Sequence, residues 1–414
     1  MRRLLKSRLA DIGGATDVCF LVVFADGSRL QNHSSQPAFT LRFNSRMAEW
    51  RTILFSHVGL LESYFHQSLD IEGNIALAFR AAMDSGFDQS INTNPLLALR
   101  NWWHEVRFSN SNLAQAKANA EFHYALGTDF YRLWLDQAGM MYTCAYWKEG
   151  TRTLEQAQLN KIDHVCRKLN LQPDDKVADV GCGWGGFMFR AHQQYGVHCE
   201  GFNVTGEQLD ALRTDIQQRK LAGQLSVTEA DFRQVPGGFD KVAHIGVLEH
   251  AGKHQLPQAI EALAAMLKPG GIGVLHYIGH VGKFNTEFYI RKYIFPGGWI
   301  PGLAETLNLM DRHGLEILDV ENLRRHYALT LDAWVERFEQ RWPEIQQLDP
   351  VKFNEYFYRK WRTYLYSCAE LFRSPNSQTH LFQITFSKGN TTDNYPMSRR
   401  HLYEADRVSQ QHDQ

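Results

Sequence analysis

The sequence predicts an α/β protein built around a parallel sheet and preceded by a smaller α+β module. After residue 176, apolar runs of strand type alternate with helical segments, which is typical of parallel βαβ units. The first of these runs ends in glycines that lead into a helix, as in nucleotide-binding sheets. A chain of 414 residues also exceeds the usual size of one domain, so two domains are expected.

The N-terminal part predicts the smaller module. Residues 18–24 form a β-rich run followed by a hairpin-type turn, and residues 39–43 alternate like a half-buried strand. Helical patterns cover residues 47–56 and 76–83. The polar, glycine-containing residues 84–94 are interpreted as a linker before a helix at 96–108.

The remainder predicts the main sheet and its helices. Residues 111–168 are mostly helical around an irregular aromatic patch. The predicted strands of the sheet occupy residues 177–180, 197–204, 225–229, 241–245, 272–277 and 381–386. Helices are predicted at 256–267, where proline and glycine form a stop signal, and at 334–371. The aromatic segment 284–299 interrupts the alternation and is interpreted as an inserted cap.

The glycine turn at residues 179–186 reads DVGCGWGG. It lacks the lysine and hydroxyl residue of a phosphate loop, which disfavours a nucleoside triphosphate. Gly181, Gly183 and Gly186 have the G-x-G-x-x-G spacing of dinucleotide-binding turns, so the glycine pattern alone does not exclude NAD as the ligand. The carboxylate of Asp179 fits better a ligand with a cationic amino-acid end, such as S-adenosylmethionine. A turn without a ligand is the remaining interpretation.

Composition excludes several classes of protein. A net charge of −1 argues against a nucleic-acid binder, which would need a basic patch. Six scattered cysteines without a C-x-x-C pair predict neither a disulfide framework nor structural zinc, and they favour a reducing compartment. The histidine spacings match no metal-ligand pattern, so no metal is predicted. No signal peptide is recognised, and no apolar run approaches the ~18 residues of a membrane span.

The first nine residues place four cations among three leucines. Such a segment is a candidate for lying on an anionic bilayer, and it is the only obvious electrostatic anchor in the sequence. A solvated, frayed terminus is the simpler interpretation of so few charges.

Five motifs together carry a family resemblance. They are HY at 123–124 with Gly127 and Asp129, YTCAYW at 142–147, DVGCGWGG at 179–186, LEH at 248–250 and KYIFPGG at 292–298. In this order they resemble cyclopropane-fatty-acyl-phospholipid synthases. The likeness extends over roughly residues 18–389 and includes Glu62, Ser63, Tyr64 and Asp70 in the N-terminal module.

The resemblance implies a class I, Rossmann-like methyltransferase domain with a mixed seven-stranded sheet, plus a small N-terminal α+β domain. The implied domains are a lipid-handling or dimerisation module at 1–95, a helical linker at 96–122, the catalytic domain at 123–389 and a polar, disordered tail at 390–414. Aromatic side chains of 284–299 and of the C-terminal helices are expected to line an acyl-chain tunnel.

The implied reaction is methyl transfer from S-adenosylmethionine to a cis double bond of an unsaturated phospholipid. The resulting carbocation then loses a proton to bicarbonate and closes to a cyclopropane. The expectation also includes a cytoplasmic protein that associates peripherally with the inner face of the membrane, binds no nucleic acid and can form a homodimer. The alternatives are a relative that makes methylene-branched, methyl-branched or furan-type fatty acids, and a catalytically silent lipid-binding protein.

The resemblance also implies site residues. The cofactor set is Tyr142, Thr143, Asp179, Gly181, Gly183, Gly185, Asn203, Gln208 and Phe232. Gln208 is expected at the ribose hydroxyls and Phe232 beside the adenine. Asn203 stands where the family commonly has threonine, which leaves contact detail open.

The implied bicarbonate site consists of Cys144, Glu249, His276, the backbone of Ile278, and Tyr327. Taken one at a time, these residues have structural alternatives: Cys144 as a small buried thiol, Glu249 as a helix cap and His276 as a hydrogen-bonded core histidine. Cys368 matches a cysteine long suspected of catalysis in this family. Its flanks resemble a packed helix, so the structural interpretation is preferred there.

Overall fold

The computed structural model describes residues 2–86, 95–282 and 284–403. The chain divides into two compact units, and neither is continuous in sequence. The first unit comprises Met1–Ser109, Asn285–Gly297 and Tyr327–Thr379, and the second comprises Asn110–Phe284, Gly298–His326 and His380–Gln414.

The elements are numbered in chain order. The strands are β1 (Phe20–Val23), β2 (Arg29–Gln31), β3 (Phe39–Phe43), β4 (Leu69–Gly73), β5 (Lys176–Val180), β6 (His198–Asn203), β7 (Leu225–Glu229), β8 (Phe239–Ile245), β9 (Leu267–His280), β10 (Leu315–Asn322) and β11 (Thr379–Lys388). The helices are α1 (Arg2–Gly14), α2 (Arg46–Phe65), α3 (Ile75–Asp84), α4 (Pro95–Arg107), α5 (Leu113–Tyr124), α6 (Thr128–Trp134), α7 (Leu154–Lys168), α8 (Gly186–Tyr195), α9 (Gly206–Gln218), α10 (Leu256–Met266), α11 (Phe288–Tyr293), α12 (Leu303–Arg312), α13 (Arg324–Leu348), α14 (Glu355–Arg373) and α15 (Arg400–Tyr403).

The first unit contains a four-stranded sheet in the order β2-β1-β3-β4. The predicted hairpin-type turn joins the antiparallel strands β1 and β2, and β3 lies where alternation predicted it. Helix α2 runs nine residues beyond its predicted end. It bends at Phe55 and Ser56, where Ser56 takes a φ of 52°, a value that breaks the helical pattern at the predicted boundary.

The N-terminal segment packs into this unit as α1. Leu5 and Leu9 are buried, and Arg2 forms ion pairs with Glu49 and Asp26. The ammonium group of Lys6 lies 4.9 Å from the ring centroid of Phe24. The segment is therefore a packed helix and not a frayed end, and Leu5 and Leu9 are not available to enter a bilayer, whereas Leu4 is 47% exposed.

Residues 285–297 and 327–379 also belong to the first unit, whereas the sequence placed both in the catalytic domain. The rings of Tyr289 and Tyr293 on α11 lie 5.8 Å and 5.6 Å from that of Phe65. Glu62 accepts hydrogen bonds from Lys292 Nζ and Tyr293 Oη. These contacts join residues about 230 positions apart in the chain, which a reading of local patterns does not reveal.

The second unit contains the seven-stranded mixed sheet, in the order β10-β11-β9-β8-β5-β6-β7 among the described residues. Strands β5 to β9 pair in parallel, while β10 and β11 are antiparallel. The predicted fold class is confirmed. Strand β10 was missed, because its sequence LEILDVEN mixes charges with apolar residues and has no clean alternation.

The end of the described chain differs from the predicted disordered tail. Leu402 is buried, Asn394 Nδ2 donates to the carbonyl oxygen of Gly270 over 2.8 Å, and Arg399 pairs with Asp319. The rest of the predicted tail, 404–414, and most of the predicted linker, 87–94, lie outside the described residues. Within the described ranges, no helix has the length and hydropathy needed to cross a membrane.

Candidate active site

A cavity open to solvent lies in the second unit at the carboxyl ends of β5, β6, β7 and β8, with about 1050 Å³ of space between its walls when the open solvent is included. Open α/β sheets bind ligands at this edge. Most of the predicted cofactor residues line it, namely Tyr142, Thr143, Asp179, Gly181, Gly183, Asn203, Gln208 and Phe232. The sheet topology therefore brings together side chains that are up to 90 positions apart in sequence.

Two glycines of the turn have different roles. Gly183 has a φ of +53°, and a Cβ added there would meet no protein atom within 4 Å. Because Gly183 lines the cavity, a larger side chain would occupy ligand space. Gly185 does not line the cavity. A Cβ at Gly185 would lie 2.4 Å from Leu212 Cδ1, so the absence of a side chain at Gly185 serves the packing of the turn against α9, and its contact with the cofactor stays a prediction.

Asp179 is a buried carboxylate at the floor of the cavity. It is 3% exposed, and loss of hydration raises its pKa to about 7, opposed in part by the positive charge of Lys161. Lys161 is itself fully buried and donates from Nζ to Thr143 Oγ1 over 2.9 Å. A ligand ammonium group at this position would favour the charged form of Asp179.

The next two strand ends supply an amide and an aromatic ring. Asn203 Nδ2 donates to Gln208 Oε1 over 2.8 Å, which fixes the Gln208 side chain at the start of α9. Phe232 begins the 3-10 turn capped by Asp231, and that carboxylate accepts two hydrogen bonds from the guanidinium group of Arg233. The amide of Gln208 can hydrogen-bond the hydroxyls of an adenosine ligand, and the ring of Phe232 can pack against its base.

Tyr142 is held by an aromatic cluster beside the cavity. Its ring stacks on His123 at 5.5 Å, and Tyr142 Oη lies 3.1 Å from His123 Nε2. Trp134 meets it edge-on at 5.3 Å. The predicted HY and YTCAYW motifs therefore meet in space.

Some cavity residues were not singled out from the sequence. Trp184 lines the cavity and donates from Nε1 to Thr128 Oγ1 over 3.3 Å. Tyr124 and His250 also line it and are joined by a 3.0 Å hydrogen bond. All three belong to motifs that carry the family resemblance, and membership of those motifs was the only sequence signal that they line the site.

Glu249 lies in the 3-10 turn that follows β8. Its Oε1 accepts a 2.6 Å hydrogen bond from the backbone N–H of Ile278 on β9. Oε2 is buried without a hydrogen-bond partner in the described residues. Burial raises the pKa of the Glu249 carboxyl to about 7. The backbone N–H of Ile278 therefore holds the Glu249 carboxylate, and the predicted contact of the Ile278 backbone with an anion stays a prediction.

The raised pKa of Glu249 predicts a pH-dependent stability difference for Glu249→Gln. Between the unfolded pKa near 4.5 and the folded pKa of about 7, the native state retains a proton that the unfolded state releases. Wild-type stability from this group therefore falls as pH rises through that window. We expect the variant to melt higher than wild type at pH 8 and level with it at pH 4 in thermal scans. A pH-independent difference would contradict this assignment.

His276 lies on β9, directly paired with Ile245 of β8. Its ring is 1% exposed, and Nδ1 accepts a 2.9 Å hydrogen bond from the amide of Gln383. Nε2 therefore carries the proton, and it is a buried donor without a partner among the described residues. Burial lowers the pKa of His276 well below 6.5, so the ring is neutral.

The other predicted catalytic residues fall in different places. Cys144 is buried in the second unit, with Sγ 3.3 Å from the carbonyl oxygen of Ala145. Tyr327 belongs to the first unit, where its ring packs against Trp334 and Phe372. Cys368 lies on α14, also in the first unit. Burial raises the pKa of the Cys368 thiol to about 12, which disfavours the nucleophilic thiolate.

The parallel sheet, the glycine turn, the buried acid and the fixed amide define an S-adenosylmethionine-dependent methyltransferase. The profile of the family described as "Mycolic acid cyclopropane synthetase" matches residues 111–384, and the chain belongs to that family.

Similar proteins agree with this assignment. A "Probable fatty acid methyltransferase" of Pseudomonas putida is 32% identical over 366 residues, 85% of this chain and 91% of that protein. The "Cyclopropane-fatty-acyl-phospholipid synthase" of Escherichia coli K12 is 35% identical over 268 residues, 64% of this chain and 67% of that protein. The structure of the mycolic acid cyclopropane synthase CmaA1 complexed with SAH and CTAB matches with a TM-score of 0.61 and 30% identity, covering 66% of this chain and 98% of that one. The protein is an enzyme of the cyclopropane synthase type, which removes the silent lipid-binding alternative.

Proposed function

We propose that this enzyme methylates the cis double bond of an unsaturated phospholipid acyl chain and closes the product to a cyclopropane. The observation that carries the proposal is the pair of buried atoms Glu249 Oε2 and His276 Nε2. One is an acceptor and the other a neutral donor. Glu249 precedes His250 and His276 pairs with Ile245, and both His250 and Ile245 line the cavity. The relative named cyclopropane-fatty-acyl-phospholipid synthase supports the choice of phospholipid.

The chemistry needs a base that is shielded from water. Methyl transfer to an alkene leaves a carbocation, and ring closure requires loss of a proton from the transferred methyl group. The C–H electron pair of that methyl group then forms the second bond of the ring. Water at the site would capture the cation instead, so a buried base is required.

When bound, S-adenosylmethionine supplies an electrophilic methyl group and a bicarbonate ion supplies the base. Buried polar atoms without partners are costly in an isolated protein, which supports a polar ligand at this position. We assign Glu249 Oε2 to accept the hydroxyl hydrogen of such an anion, and His276 Nε2–H to donate to one of its oxygens. The backbone N–H of Ile278 holds the Glu249 carboxylate in place by donating to its Oε1. Cys144 and Tyr327 are proposed as further contacts on the strength of the resemblance alone.

Cys368 has no step in this scheme. We expect Cys368→Ser to keep turnover within a few-fold of wild type, because no bond to sulfur forms and the thiol is protonated at neutral pH. Initial rates at saturating S-adenosylmethionine, measured alongside the melting temperature, test this. A folded variant with no activity would return the catalytic role to the thiol.

Because the proposed substrate resides in a bilayer, we further propose a cytoplasmic location with peripheral association at the inner face of the membrane. A homodimer stays a prediction. The alternative product class is a methylene-branched, methyl-branched or furan-type fatty acid. The relative named probable fatty acid methyltransferase is compatible with this alternative, because its name specifies no cyclopropane product.

The function is tested by incubating the protein with S-adenosylmethionine and vesicles of unsaturated phospholipid. We expect S-adenosylhomocysteine to form in equal amount with acyl chains that have gained one CH2 group, measured by mass spectrometry. Vesicles of fully saturated phospholipid are the control and should give neither product. Equal turnover on both vesicles would exclude the double bond as the methyl acceptor.

A further inference from the structure

Helix α4 of the first unit has an inverted distribution of polarity. A helix on a protein surface normally presents charged residues to solvent and apolar ones to the core. On α4 the large exposed side chains are mostly apolar, and they are Leu96, Leu99, Trp102, Trp103 and Val106, at 47–61% exposure. Their spacing of three and four residues places them along one face.

Three polar residues of α4, Arg100, His104 and Glu105, lie instead toward the protein. Arg100 Nη2 donates to Glu62 Oε1 over 2.8 Å, and its guanidinium group lies 4.6 Å from the ring centroid of Phe55. Glu105 pairs with Arg291 at 3.3 Å, and His104 is 6% exposed. Of the charged residues of α4, Arg100 and Glu105 are therefore used for internal contacts, and Arg107 at its end stays exposed.

A second exposed stripe, on α2 of the same unit, has the same character. Met47, Trp50 and Leu54 are 64%, 44% and 40% exposed at helical spacing. Arg46 is exposed beside them, while the acid of that turn, Glu49, is buried and paired with Arg2. The guanidinium group of Arg107 likewise lies 5.5 Å from the ring of Trp103 at the end of α4.

We propose that the outward face of α4 is the surface by which this protein docks on an anionic lipid bilayer. Indole rings favour the boundary between headgroups and acyl chains, and arginines next to them suit lipid phosphates. At 13 residues α4 is about 20 Å long, too short to span a bilayer and suited to lying in its surface. The inference rests on the proposed function insofar as a bilayer substrate requires such a surface. The N-terminal segment offers a smaller apolar surface, because Leu5 and Leu9 are packed inside and Leu4 is its exposed leucine.

The test is vesicle flotation of the full chain with a double variant, Leu99→Ser with Trp102→Ser. The matched control is Leu348→Ser with Val351→Ser, which removes two exposed apolar side chains elsewhere in the same unit. With vesicles of mixed anionic and neutral phospholipid, we expect the bound fraction of the α4 variant to fall about 10-fold while the control binds like wild type. Melting temperature and affinity for S-adenosylhomocysteine should be unchanged in both variants.

Activity on detergent-dispersed unsaturated phospholipid separates this inference from the proposed function. The α4 variant should retain that activity and lose activity on vesicles. Unchanged flotation of the α4 variant overturns the docking surface, whatever the reaction. A halved solution mass in light scattering with unchanged flotation would also overturn it, and would assign α4 to contact with a second copy of this chain. Loss of flotation by the control to the same extent would contradict a specific role for α4.

Discussion

Replacing Glu249 with glutamine is expected to lower turnover by about 10²-fold or more, the usual scale for a positioned proton-transfer group. The amide keeps an oxygen for the N–H of Ile278, so local geometry should persist. It replaces the other buried oxygen by an N–H₂ group, which cannot accept a hydrogen bond from the hydroxyl of the base. Proton loss is therefore expected to become slow, while affinity for S-adenosylhomocysteine in calorimetry stays within a few-fold of wild type.

The pH profile adds a second readout to the same variant. If the ionised carboxylate orients the base, wild-type turnover should rise with pH through about 7, the raised pKa of Glu249. That rising limb should vanish in Glu249→Gln. Added bicarbonate should restore part of the activity if weaker binding of the anion is the main defect. Near-wild-type turnover at low bicarbonate would remove Glu249 from the reaction.

Gly183→Val is expected to abolish detectable binding of S-adenosylhomocysteine, with affinity reduced about 10²-fold or more. The added Cβ would enter open space on the wall of the cavity, where the ligand is expected. A steric cost of about 3 kcal/mol corresponds to this loss. Positive φ also disfavours valine by roughly 1–2 kcal/mol, so some loss of stability is expected as well.

Gly196→Val controls for that backbone strain. Gly196 has a φ of +69°, and a Cβ there also meets nothing within 4 Å, but it caps α8 away from the cavity. Both variants should show similar decreases in melting temperature in the absence of ligand. Only the Gly183 variant should lose the ligand in calorimetry. Equal affinities in the two folded variants would contradict the placement of the cofactor at this turn.

The central part of the fold could be predicted because its signals are local. The glycine turn, the runs of β5 to β9 and the stop signal after α10 each lie within about 15 residues. Strand β10 was missed for lack of a local signal, whereas the division into units depends on contacts between distant segments. Residues 285–297 are an example, since Tyr289 and Tyr293 pack on Phe65.

The candidate site divides in the same way. The ligand cavity could be assigned residue by residue because each strand end carries its own motif. The separate roles of Gly183 and Gly185 could not be predicted. Only the position of Leu212, which a Cβ at Gly185 would meet, shows that packing requires a glycine there. The hydrogen bond from the Ile278 N–H to Glu249 also could not be predicted from the sequence, because it depends on how the turn after β8 lies against β9. The exposed face of α4 gave no sequence signal, because its spacing equals that of a buried helix.

The most direct test of the central claim uses S-adenosylmethionine with an isotope-labelled methyl carbon and vesicles of unsaturated phospholipid. The fatty acids are released and the position of the labelled carbon is determined by NMR. The account predicts that the label appears as the CH2 carbon of a cyclopropane ring at the site of the former double bond. Label in a methyl branch or in an exocyclic methylene group would contradict it, and would assign the enzyme to the alternative product class.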